Sequence, residues 1–275
     1  VLVLEPFCDI YVPSIEMAGG IPVYVSLSPP NWSLDADAIR AAFTDKTRAI
    51  IINTPNNPTG RTFNREDLQV IADLCIQHDA ICIADQVYEH MTYDDVQHIP
   101  IATLPGMFER TLSISSVAKT FSATGWKIGW IYGDPHLMRG VFLSHQLLTF
   151  AFNHPAQIGS AHALHLGDDY YAELHDMYAA KRTLLLQGLD AAGLSYTAPE
   201  GAFYVMADFS DVFDGNDAAF ARYLITEIGV AAIPPSAFYS EAHKDIVRSY
   251  IRFAFCKSDE TIERACERLQ KLTRL

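Results

Sequence analysis

At 275 residues the chain can bury a large core and exceeds the size at which one core usually stops growing, so two lobes are expected. An apolar fraction of 49% with 11% aromatic and 19% charged residues excludes the disordered and fibrous classes. Acidic residues outnumber basic ones 33 to 20, a formal charge of −13 with no basic block, which argues against nucleic acid or an anionic membrane as a partner.

Val1 opens directly on Val-Leu-Val-Leu, which reads as the middle of a strand and makes a fragment of a longer protein the expectation. Short β-branched runs at 1–4, 23–27, 49–52, 80–84, 111–115 and 128–132 alternate with helical patterns, as β-α units on a mostly parallel sheet do. Asn64 with Asp67 forms a reciprocal capping pattern ahead of Leu68, Ile71, Ala72 and Cys75 on one helical face. Asp134-Pro135 is a cap followed by proline at the first helical position, and that helix is expected to run toward Phe150. Asn153-His154-Pro155 breaks the pattern, and a long helix over 171–192 leads away from it.

Beyond Gly193 the spacing predicts a smaller set: strands at 202–207, 230–233 and 250–255, a helix over 218–228, and a last helix capped by Ser258. The expected fold is therefore α/β: three layers around a mostly parallel central sheet over 1–165, with a smaller α+β C-terminal domain over 166–275. Five cysteines without a C-x-x-C pair suggest neither a disulfide framework nor a zinc site, and a reducing, cytoplasmic setting fits best. No stretch reaches transmembrane length and no secretory leader pattern appears.

In a parallel sheet ligands gather beyond the carboxyl ends of the strands, so the residues that follow strand patterns are the informative ones. Three such segments stand out: Asn53-Thr-Pro-Asn-Asn-Pro-Thr-Gly60, Asp85-Gln-Val-Tyr88 and Ser116-Val-Ala-Lys119. Singly each has an ordinary explanation, as turn chemistry, a helix cap or a solvated lysine. Together an amide, a carboxylate, a phenol and a lysine at one sheet edge form the set needed to hold a pyridine aldehyde as a Schiff base, with an acid beside the ring nitrogen. Ser116 to Lys119 also fits the S-x-x-K pattern of penicillin-binding hydrolases, but the S-D-N and K-T-G partners are absent. His162 and His165 lie a turn apart without a third ligand motif, so no metal site is expected.

These motifs, with Val1 to Phe7, Asp85 to Asp94, Ser116 to Trp130, Val230 to Tyr239 and Tyr250 to Lys257, make the chain similar to the class I/II aminotransferases of fold type I. It most resembles their kynurenine and glutamine transaminase K branch and the bacterial methionine and aromatic relatives, with the N-terminal part of the pattern missing. The resemblance implies pyridoxal 5′-phosphate as cofactor, an amino acid and a 2-oxo acid as small-molecule substrates, and a homodimer of the full-length protein. It implies that Lys119 forms the Schiff base, that Asp85 pairs with the pyridinium nitrogen, and that Asn57 and Tyr88 bond the phenolic oxygen. Ser116 and Lys127 fall in the phosphate cup, and Arg252 matches the arginine that grips the substrate carboxylate, assisted by Asn57.

Two positions depart from the pattern. Cys8 stands where a ring usually stacks on the cofactor, leaving Phe7 or Tyr11 to compensate, and Gln86 stands where Glu commonly follows the aspartate. Transamination of an aromatic, methionine- or glutamine-like donor is the expected function. A carbon-sulfur β-lyase on the same scaffold and a non-catalytic sensor domain of a regulator are the alternatives. Phe150, Phe152, Phe238 and Tyr239 are candidates for an aromatic substrate pocket.

Overall fold

In the computed structural model, which describes residues 1–272, the strand runs of the first half assemble into one sheet. Its elements in chain order are β1 (Leu2–Glu5), α1 (Tyr11–Met17), β2 (Val23–Ser26), α2 (Ala36–Ala42), β3 (Ala49–Asn53), α3 (Arg65–Gln77), β4 (Ile81–Asp85), β5 (Thr111–Ser116), α4 (Val117–Thr120) and β6 (Gly129–Tyr132). The spatial order is β2-β1-β3-β4-β5-β6, parallel throughout except for β6, which pairs antiparallel with β5.

Side chains alternate across a strand, and the two faces separate accordingly. Leu2, Leu4, Ile50, Ile52, Cys82 and Ala84 point to the face covered by α2 and α3. Val3 and Ile51 point to the other, against Phe7 and Ile15 of α1. The Asn64 and Asp67 capping box forms in both directions, and Leu68, Ile71, Ala72 and Cys75 are buried as the spacing predicts. The sheet with its covering helices is the expected α/β architecture.

The remaining elements are α5 (Pro135–Leu148), α6 (His154–Ala163), α7 (Asp168–Ala191), β7 (Ser195–Tyr196), β8 (Tyr204–Asp208), α8 (Asp217–Tyr223), β9 (Tyr250–Ala254) and α9 (Asp259–Leu269). A second, smaller antiparallel sheet, β7-β8-β9, packs its Val205, Ala207, Ile251 and Phe253 against α7, α8 and α9. Residues 273–275, the end of the expected C-terminal domain, lie outside the described residues.

Two expectations change. The Asn153-His154-Pro155 segment is a helix start, since the Asn153 side chain accepts the Ala156 N–H and the proline falls in the first turn of α6, where its missing N–H costs nothing. The stretch 230–233 is no strand: α8 runs on into a π-helical turn, Leu224–Ile228, which ends at Gly229 with φ 77°, and only Ile233 then bridges to Arg252. An apolar run of four residues does not by itself distinguish a strand from a buried connection.

Two seams join the sheets. The segment after β4 sends Tyr88, Met91 and Tyr93 into the core of the second sheet, with Tyr93 N–H donating to Glu200 O at 2.9 Å and Ala202 N–H to Met91 O at 2.8 Å. At the second, Gly60 O accepts both Glu200 and Gly201 N–H, at 2.9 and 2.8 Å, while Arg61 pairs with the Glu200 carboxylate at 2.7 Å. Gly60 has φ 72°, and a side chain there would collide with Pro199, so only glycine satisfies both demands.

The second sheet is braced by α7 on α9, where Gly188 admits the Cys266 side chain into the space a Cβ would fill. A Gly188→Ala substitution should gain about 1 kcal/mol of helix propensity but lose about 1–3 kcal/mol to overpacking. Net destabilisation in urea denaturation is expected, partly relieved in the Gly188→Ala/Cys266→Ala double variant.

Candidate active site

Backbone register places the site. Asn53 at the end of β3 lies opposite Asp85 at the end of β4, which lies opposite Ile114 of β5. Asn53 Nδ2 donates to Asp85 O at 3.0 Å, and the Asn53 carboxamide oxygen accepts the Asn57 N–H at 2.7 Å, so the amide-rich loop is folded back over the strand ends. Two residues beyond Ile114, the Ser116 hydroxyl caps the short helix α4 that carries Lys119.

Asp85 is the electrostatic centre. Burial raises its carboxyl above the usual carboxylate range, opposed by the Tyr11 hydroxyl, the Val87 N–H and the charge of Lys119. Tyr11 donates to Oδ2, and Val87 N–H donates to Oδ1 at 3.3 Å. Burial pushes the phenols of Tyr11 and Tyr88 well above their ordinary value, which keeps both as neutral donors. Lys119 Nζ lies 5.6 Å from the centre of the Tyr88 ring and 5.5 Å from that of Phe203. The Tyr88 hydroxyl meets that of Tyr204 at 3.2 Å.

Arg252 reaches this group from β9 of the other sheet. Its guanidinium is sandwiched between Tyr204 and Phe238, 4.4 and 4.8 Å from the ring centres, and donates to Asn57 Oδ1 at 2.8 Å. Its Nε is buried with no partner among the described residues, an orphaned donor of the kind an incoming carboxylate would satisfy. Asn57, Asp85, Tyr88, Lys119 and Arg252, scattered over the chain, thus converge on one place.

The other expected residues lie at its margin. Ser116 and Asp85 both line a cavity of about 570 Å³ whose walls include Ile10, Trp130, Met138 and Phe142. Lys127 is exposed, in left-handed backbone conformation with φ 57°, two residues before Gly129, the register partner of Ser116. Cys8 is half-buried with its thiol toward Asp9, and burial raises its pKa, so it stands as a neutral thiol. Of the two rings expected to compensate for it, Phe7 turns away to stack on Tyr24, while Tyr11 reaches Asp85. Among the four candidates for an aromatic pocket, Phe238 meets Arg252 and Tyr239 is buried with its hydroxyl toward Leu27 O, whereas Phe150 is 82% exposed and Phe152 is exposed as well.

Sequence reasoning passed over Phe203 and Tyr204, because they sit on the second sheet and carry no motif. For Tyr11 as a donor to Asp85 the only local signal was a tyrosine just after the Pro6-Phe7 turn. Gln86, beside Asp85, is buried and its Oε1 accepts from His98 Nε2 at 2.7 Å. Burial, with the charge of His90, lowers His98 to about 4, so it is neutral at pH 7.

The family model for class I and II aminotransferases matches residues 1–269. Kynurenine–oxoglutarate transaminase of Dictyostelium discoideum is 41% identical over 307 residues, spanning 99% of this chain and 71% of that protein. The structure of N-succinyldiaminopimelate aminotransferase from Mycobacterium tuberculosis superimposes with a TM-score of 0.95 at 41% identity, covering 99% of this chain and 71% of that one. An Escherichia coli protein identified with a methionine aminotransferase function superimposes with a TM-score of 0.94 at 33% identity, covering 98% and 70%.

The neutral His98 makes a pH prediction. The unfolded histidine takes a proton below its ordinary 6.5, whereas the folded one resists until about 4, so stability is complete above 6.5 and falls as pH drops toward 4. The loss is about 3 kcal/mol by pH 4. A His98→Gln variant should lose about that much less between pH 7 and pH 4 in urea denaturation.

Proposed function

Since the chain belongs to the class I and II aminotransferases, we propose that it moves the amino group of an aromatic, methionine- or glutamine-like L-amino acid to a 2-oxo acid, with Lys119 as the reacting amine. The observation that carries this reading is the convergence of Lys119, Asp85, Tyr88, Asn57 and Arg252 beyond the carboxyl ends of β3, β4 and β5.

The family depends on pyridoxal 5′-phosphate, and the residues present fit that group: an amine, a buried carboxylate, neutral phenols and an unpartnered guanidinium nitrogen face one another, next to a cavity shared by Asp85 and Ser116. Bound there, the cofactor supplies an electron-withdrawing ring that makes the Cα–H of an attached amino acid acidic. Asp85 would hold the proton on the ring nitrogen, its charge favouring the protonated ring. Asn57 Oδ1 is taken by Arg252, which leaves its Nδ2 as the end that can donate to the phenolic oxygen, beside the Tyr88 hydroxyl. Ser116 and Lys127 supply a hydroxyl and a cation for the phosphate, and Cys8 lies at the ring-stacking position.

Arg252 binds and orients the substrate carboxylate. Its plane is fixed by the two rings, so little freedom remains to be lost when the fork engages. Lys119 Nζ would be the base that takes the Cα proton of the substrate and, once protonated, the acid that gives it up again. The rings of Tyr88 and Phe203 flank the amine and limit where it can move.

On the same reading the chain divides near residue 165 into a cofactor-binding unit and a smaller C-terminal unit. It works as a homodimer, supported by the exposed apolar face of Phe142, Leu147, Leu148 and Phe150 along and just after α5. The five free thiols support a cytoplasmic setting, and no helix among the described residues is long and apolar enough to cross a membrane.

Two substitutions test the assignment. Lys119→Ala should abolish borohydride-trappable attachment of pyridoxal phosphate to the chain; cofactor still trapped on the variant would refute the role. Tyr11→Phe removes a donor to the buried Asp85 carboxylate, and absorbance titration should show cofactor held roughly tenfold more weakly, at about 1.5 kcal/mol for a hydrogen bond to a charged group.

A further inference from the structure

Glu5 ends β1 with its side chain fully buried, although the site described above makes no use of it. A buried carboxylate is tolerated only when its lone pairs are met, and here the donors come from opposite ends of the chain. Oε1 accepts the Ser240 N–H. Oε2 meets the Ser26 hydroxyl at 3.0 Å and His243 Nδ1 at 2.5 Å. Ser26 belongs to the neighbouring strand, but Ser240 and His243 lie more than two hundred residues further on, in the segment that leads into β9.

That segment crosses from one sheet to the other. Ile233 and Arg252 exchange backbone hydrogen bonds at 3.0 and 2.9 Å, and Ser236 N–H donates to the buried Asp217 carboxylate at 2.8 Å. Phe238 O accepts the N–H of Phe7, beside Cys8, at 2.9 Å. Phe238 thus sits between an anchor at 236 and the Glu5 anchor at 240, with its ring on one face of the Arg252 guanidinium.

We propose that Glu5 is a positioning residue for substrate: its buried carboxylate, gripped by Ser240, His243 and Ser26, holds the 236–243 segment so that Phe238 stays on Arg252 and keeps the guanidinium plane set for a carboxylate. The role rests on the transaminase reading and extends it to a residue that touches neither cofactor nor substrate. An apolar residue at position 5 would fill the strand end without any need for donors, whereas a carboxylate demands them and draws the distant segment in.

The experiment uses the holoenzyme with a donor amino acid, with 3-phenylpropanoate as an unreactive carboxylate, and with 2-phenylethylamine in single turnover as an amine without one. Glu5→Ala should weaken 3-phenylpropanoate binding in calorimetry and raise the amino-acid KM by about tenfold, with kcat within about threefold and the 2-phenylethylamine rate unchanged. Glu5→Gln, which keeps an acceptor for the Ser240 N–H, should recover much of the loss. Should Glu5→Ala not fold, the partly exposed His243 provides the second variant: His243→Ala is expected to show the same pattern at about threefold, and His243→Gln to restore it. A Glu5→Ala enzyme that melts earlier yet binds 3-phenylpropanoate normally, or that slows on amine and amino acid alike, overturns the proposal. A wild-type holoenzyme without transamination overturns the underlying reading and this role with it, whereas an active wild type matched by Glu5→Ala overturns only the role.

Discussion

A carboxylate at the end of a central parallel strand loses most of its water, and Asp85 recovers hydrogen bonds from a tyrosine at the start of α1 and from the backbone two residues on. Neither donor cancels the cost of burial, so the carboxyl stays above its ordinary range and answers strongly to any cation placed beside it. Lys119 is such a cation, and a protonated ring nitrogen would be another. The fold around Asp85 fixes where this carboxylate stands: strand register sets its position, Asn53 holds its backbone carbonyl, and the chain that follows it carries Tyr88 into the neighbouring core.

The second sheet matters because Arg252, the cation proposed to grip a substrate carboxylate, belongs to it. Arg252 is brought to the ends of the first sheet by two seams, the 88–93 segment packed into the second core and the Gly60 to Arg61 turn clamped on Glu200. Tyr204 and Phe238 then hold the guanidinium flat, and Asn57 fixes one of its nitrogens. One face of this arrangement is supplied by β8 and the other by the segment before β9. The arrangement around Arg252 thus depends on contacts that no single sheet could make.

Local rules were legible wherever side chain and backbone answer to near neighbours. The capping box at Asn64, the Asp134-Pro135 start, the six strand runs and the last helix after Ser258 appear where the periodicity and caps place them. The misreadings arose where one local signal had two meanings. Asn153-His154-Pro155 opens a helix, because proline is as much at home in a first turn as in a break, and 230–233 is a connection, because an apolar run is buried in either state. The short helices α1 and α2 lacked the length for a clear period.

The sequence by itself determined the α/β class and placed an amide, a carboxylate and a lysine at successive strand ends, since strand patterns are local and ligands collect at the carboxyl ends of parallel strands. Tertiary structure alone decided that Tyr11 donates to Asp85, that Phe203 packs beside the lysine, and that Glu5 is tied to His243 across most of the chain. These pairings join residues far apart in sequence, through the packing of α1 on the first sheet, the seam between the two sheets and the path of one connecting segment. No periodicity or spacing records them, because the partners meet only through the tertiary fold.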